Sequence, residues 1–207
     1  MFPQFREATI SYVFLTGVIA ASLVGFYHRG FYYANVFQPS QVFSGKRVWT
    51  VVTSAFIHGG WLHLLCNVVF CLIFMTDVEY MLVDDFGPVA SSGILCLLFV
   101  GTVSTVNLIT GYRFRKQPYV SAVGLSAFCF AMVVFYFIYF PLDTSPNLPM
   151  LRAYQYAMAV PLGCVIAWAA NIPGNHAVHL AGCVLGMLAA LVIRPEIMAE
   201  LWAHFRT

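Results

Sequence analysis

The sequence predicts an all-α, polytopic membrane protein with six spanning helices. Three observations carry that prediction. Of its 207 residues, 61% are hydrophobic and 9% are charged, whereas a soluble domain is roughly 25% charged. Its mean hydropathy is +0.82. Apolar segments close to the roughly 20 residues needed to cross a hydrocarbon core recur six times between polar or Pro/Gly-containing turns. Six such spans use roughly 120 residues, which excludes a large soluble domain, so residues 1–207 read as one membrane domain. A net charge of +2, with cations scattered singly or in small groups, offers no basic stripe for nucleic acid.

The first apolar segment, 9–27, follows a short head with Arg6 and Glu7. It is longer than a signal-peptide core and lacks a small-residue cleavage site, so it reads as a retained span. Residues 28–48 mix His28, Arg29, Lys46 and Arg47 with aromatics, and Pro39 and Gly45 break any long helix. That pattern fits an amphipathic loop at the membrane interface. The second span, 60–76, is approached through His58-Gly59-Gly60-Trp61-Leu62-His63 and left at Asp77 and Glu79. An acidic turn, Asp84-Asp85-Phe86-Gly87-Pro88, leads into the third span, 89–109.

Arg113, Arg115 and Lys116 keep 111–118 in water, because three cations there are costly in hydrocarbon. The fourth span is 119–140, and Pro141, Asp143, Pro146, Asn147 and Pro149 make the next turn. The fifth, 152–171, is interrupted by Pro161 and Gly163; Pro173-Gly174 turns the chain into the sixth, 176–193. Beyond Arg194-Pro195 the tail reads as a short amphipathic helix or coil. On these boundaries no charged residue lies within a span beyond Arg152 at the edge of the fifth. Cys66, Cys71, Cys96, Cys129, Cys164 and Cys183 all fall in apolar stretches without a C-x-x-C pair. They read as packing residues, with neither a disulfide framework nor a thiolate metal site. No H-E-x-x-H occurs, and no metal site is expected.

Polar side chains at hydrocarbon depth are therefore the functional candidates. His63 and Asn67 stand four apart and share a helix face. His58, five residues earlier, lies about 140° further around or ahead of the helix, and reads as a supporting hydrogen-bonding residue. In the fourth span Gly124-Leu125-Ser126-Ala127 sets a hydroxyl among small residues. In the sixth, His179, Gly182 and Gly186 share a face, and the glycine pair opens a groove for a close helix neighbour. If the fourth span fills that groove, Ser126 and His179 meet. A lone serine in a span usually packs or bonds back to its own helix. Paired with an imidazole it becomes a nucleophile whose proton the histidine takes, while His63, Asn67 and the Ser126 N–H stand ready to stabilise an oxyanion.

His58-Gly-Gly-Trp-Leu-His63-Leu-Leu-Cys-Asn67, then Gly124-Leu-Ser126, then His179-Leu-Ala-Gly182-Cys-Val-Leu-Gly186 resembles the rhomboid family of intramembrane serine proteases, over nearly the whole chain. The resemblance implies a six-helix rhomboid-like bundle with Ser126 as nucleophile, His179 as general base and His63 with Asn67 as oxyanion donors. It implies transmembrane protein substrates admitted past span five, and no metal or organic cofactor. It also implies a cytoplasmic N-terminus. The loop charges oppose that orientation weakly, with Arg6, Arg152, Arg194 and Arg206 on that side against Arg29, Lys46, Arg47, Arg113, Arg115 and Lys116. Three positions depart from the family pattern: Ala127 replaces a glycine, Arg47-Val48-Trp49 replaces a Trp-Arg pair, and Val178 replaces an alanine. The alternative is a rhomboid-like protein that binds membrane clients without cutting them. Loss of the serine or histidine would mark it, and both are present.

Overall fold

The computed structural model describes residues 3–145 and 148–206; Pro146 and Asn147 of the expected turn lie outside them. Helix α1 spans Thr9–Tyr27. The interfacial loop that follows is built of short pieces: α2 (Arg29–Asn35), α3 (Pro39–Val42), α4 (Thr50–Thr53) and a 3-10 turn, Ser54–Phe56. Helix α5 (Trp61–Phe70) passes through a π-helical turn, Cys71–Met75, into α6 (Thr76–Phe114). These elements form a helical run of 54 residues, yet it is not straight. At Gly87 the backbone takes φ 77° and ψ 166°, and Pro88 restarts the helix.

The chain folds back at that break. Asn67 lies beside Gly124, while Gly111 packs on Phe37, whose backbone pairs with Ala122. A straight helix would hold Asn67 and Gly111 roughly 66 Å apart. The run is therefore a hairpin carrying the second and third spans.

Helix α7 spans Ser126–Tyr139 and is buried along nearly its whole length. A two-stranded hairpin, β1 (Thr144–Ser145) with β2 (Leu148–Arg152), leads to α8 (Ala153–Ala169). Then come α9 (His176–Ile193) and α10 (Glu196–Arg206). Helices α1 and α9, with the 61–114 run, are long and apolar enough to cross a membrane; α7 and α8 are shorter apolar helices. The protein is an integral multi-pass membrane protein with α7 at its centre.

Four expectations need correction. The fourth apolar segment, 119–140, becomes helical only at Ser126. Its 14 residues give about 21 Å of helix, short of the ~30 Å hydrocarbon core, so Ser126 stands at a helix start rather than inside a span. The second span does not end at Thr76: the helix continues through Asp77 and Glu79. Glu79 is thus a charged residue within the helical run, and it is buried. Its carboxylate accepts from the backbone N–H groups of Ile10 and Ser11 (2.9 and 2.6 Å). Helix α1 has no side-chain cap of its own, so Glu79 satisfies its first donors and complements its dipole from another helix. Finally, α8 runs unbroken through Pro161.

Candidate active site

Ser126 opens α7, and the loop before it is tied down by backbone bonds. Phe37 and Ala122 exchange N–H···O bonds of 3.1 and 2.9 Å, and Gly124 N donates to Ser54 O at 2.9 Å. Asn107, from the third span, donates to Val51 O (2.8 Å) and Ser54 Oγ (3.2 Å), which steadies the acceptor of Gly124. Gly124 has φ +103°, and a Cβ there would lie 2.5 Å from His63 Cε1. Both the backbone and the space therefore require glycine. The first N–H groups of α7 have no acceptor within the helix, so the start of α7 can hold negative charge.

His63 and Asn67 converge on this point. A Cβ on Gly124 would stand 2.7 Å from His63 Nε2 and 3.5 Å from Asn67 Nδ2. Behind them His58 precedes α5 and is fully buried. Asn67 Nδ2 donates to His58 Nε2 (2.9 Å), and His58 Nδ1 lies 2.8 Å from Ser22 Oγ. The Ser22 hydroxyl donates to Phe56 O at 2.9 Å, so its oxygen accepts from His58 Nδ1–H. This relay closes only with a neutral imidazole protonated at Nδ1. Burial, reinforced by neighbouring His63, lowers the His58 pKa to about 4 and keeps it neutral. One Asn67 N–H is thereby spent, and the other remains for a ligand. Cys129 Sγ lies 3.6 Å from Asn67 O and 3.7 Å from Asn67 Oδ1, so the thiol packs directly against this residue.

His179 enters from α9. Its ring stacks on Phe130 with centroids 4.3 Å apart and planes 10° from parallel. Phe130 stands four residues after Ser126, on the same face of α7. The glycine pair sets the distance between the two helices: a Cβ on Gly182 would lie 2.1 Å from Ala127 O, and one on Gly186 would lie 2.2 Å from Ala131 O. The backbone of Ala127 is what approaches α9 at Gly182. Among the described residues no hydrogen bond joins the Ser126 hydroxyl to the His179 ring. His176, one turn before His179, is instead bound through Nε2 to Ile172 O (2.9 Å).

Ser126, His179, His63, Asn67 and Gly124 line one cavity of about 1080 Å³. Its remaining wall is largely apolar and includes Phe70 and Cys66 from the second span and Trp168 from α8. His58, Gly182 and Gly186 are not on that wall: the histidine acts through Asn67 and the two glycines through helix spacing. Sequence reasoning missed Ser22, Phe130 and Asn107. Phe130 was available from its i+4 spacing to Ser126, but the partners of Ser22 and Asn107 are 36 and 53–56 residues away in the chain, and no local pattern reveals them.

A helical membrane bundle in which a hydroxyl, two imidazoles and an amide line one apolar-walled cavity belongs to the class of polytopic membrane proteins with a polar site among their helices. The comparison with protein families is more specific. The Rhomboid domain matches residues 45–196, and the chain belongs to the rhomboid family. The match runs from the interfacial loop through α9 and contains every residue of the cavity named above. No curated protein matches the chain.

Proposed function

We propose that this protein is an intramembrane serine protease that hydrolyses peptide bonds in or near the membrane spans of single-span proteins. The carrying observation is the convergence of Ser126, His179, His63 and Asn67 on one cavity in a chain of the rhomboid family. A substrate segment enters between the second span and α8 and unwinds where Gly or Pro weakens it. His179 takes the hydroxyl proton as Ser126 Oγ attacks the carbonyl carbon. The oxyanion is held by the Ser126 N–H, His63 and the free N–H of Asn67. His179 then gives its proton to the leaving amine, and an acyl-enzyme remains. Water activated by His179 releases the acid and restores the serine. The stacking of His179 on Phe130 supports a fixed imidazole plane during these transfers.

The test is cleavage of a single-span substrate by the purified protein in lipid. Ser126→Ala and His179→Ala are expected to abolish product at unchanged folded yield. A second reading, client binding without cleavage, is favoured by one observation: the dyad hydrogen bond is not made in the resting arrangement. Catalytic hydrogen bonds commonly tighten only when substrate is bound. Wild-type protein that binds a panel of substrates and cuts none would establish the second reading.

A further inference from the structure

A second cavity, of about 670 Å³, opens at the same end of the bundle. Its lining includes Arg29, Arg47, Tyr32, Tyr33, Tyr119 and His58, and no Asp or Glu contributes to it. Among the described residues the ion pair Arg194–Glu200 lies in α9–α10, and neither Arg29 nor Arg47 has an acidic partner. Arg47 Nη2 donates to Tyr33 O and Val36 O, the carbonyls at the end of α2, which leaves its Nε and Nη1 groups unspent. Its backbone is held at φ 53°, a conformation that a non-glycine residue adopts at a cost. Exposed Tyr33, Trp49 and Trp61 set this loop at the level where aromatic side chains meet lipid headgroups.

Two guanidinium groups sharing an acid-free cavity repel one another, and an oxyanion between them relieves that repulsion while accepting bidentate hydrogen bonds. Tyrosine hydroxyls supply further donors. We propose that this cavity binds a phosphate group, and that at headgroup depth the phosphate is that of an anionic phospholipid. His58 borders this cavity, and its Nε2 accepts from Asn67. The cavity is thereby separated from the proposed oxyanion site by one side chain. The binding site itself does not depend on the protease reading.

The experiment is native mass spectrometry of the full chain released from nanodiscs of equal phosphatidylglycerol and phosphatidylcholine, so its readout is separate from cleavage. Wild type is expected to retain phosphatidylglycerol over phosphatidylcholine by at least about fivefold. Arg29→Gln, at an exposed position, is expected to lower that preference severalfold, and Arg29→Gln with Arg47→Gln to remove it. Inorganic phosphate in the tens of millimolar that displaces the bound lipid would assign the same phosphate site to a soluble source; lipid retained under that challenge assigns it to the bilayer. Equal retention of both lipids by wild type, or a preference unchanged in Arg29→Gln and in the double variant, would overturn the proposal.

Discussion

The two ends of the bundle are held together by different physics. At the end that carries the cavity, order comes from neutral hydrogen bonds and from backbone packed on glycine: the His58 relay, the Gly124–Ser54 bond and the Gly182 and Gly186 contacts. At the opposite end charged groups do the holding. Arg194 reaches Tyr139 O and Glu200 and covers the Phe140 ring, while Tyr139 donates to Asp85 at 2.6 Å and Glu79 caps α1. An end held by a buried carboxylate on backbone N–H groups is expensive to reorganise, because moving Glu79 away strands both the charge and its donors. Around the cavity itself, where the hydrogen bonds are between neutral groups, opening loses only contacts that water or another polar group replaces.

The comparison breaks most severely at the glycine seam. Gly182→Val would drive a branched side chain into the Ala127 carbonyl, 2.1 Å from where its Cβ must sit. It is expected to cost about 3 kcal/mol or more, read as loss of folded yield and of any cleavage. Glu79→Ala strikes the charged end. It strips two backbone donors of their acceptor, and a loss of about 2 kcal/mol in thermal or denaturant stability is expected. Cleavage by the protein that remains folded should be close to wild type, because Glu79 is remote from the cavity.

The pH dependence sharpens the contrast further. The folded-state pKa of His58, in the loop ahead of α5, is about 4, below its ordinary 6.5. Its contribution to stability is therefore complete above pH 6.5, declines as pH falls toward 4 and is gone below that. Thermal melts in this window should show the slope, and His58→Ala should flatten it. The smallest effect is expected at the ion pair: Glu200→Gln should change stability by about 0.5 kcal/mol, since both side chains keep some contact with water.

The spans were legible because apolar length and Pro/Gly punctuation are local properties, and the first and sixth segments match α1 and α9 residue for residue. The fourth was misjudged for a physical reason. Tyr119, Val120, Ala122 and Val123 are as apolar as a helix needs, but in this segment Ala122 bonds to Phe37 and Gly124 to Ser54 instead of to a helical turn. Glu79 was misplaced for a related reason, since a carboxylate reads as a span boundary unless its partner, the N-terminus of a helix almost seventy residues away, is known. The polar motif residues were legible as a set because His63 and Asn67, and His179 with its glycines, keep helical spacing. The supports behind them, Ser22 and Asn107, act across the tertiary fold and leave no periodic trace.

The most direct test of the central claim is labelling by a serine-directed fluorophosphonate in lipid, with the adduct located by mass spectrometry. A single adduct on Ser126 is expected, lost in Ser126→Ala and strongly slowed in His179→Ala. Wild-type protein that is folded, membrane-embedded and unlabelled at Ser126 would contradict it.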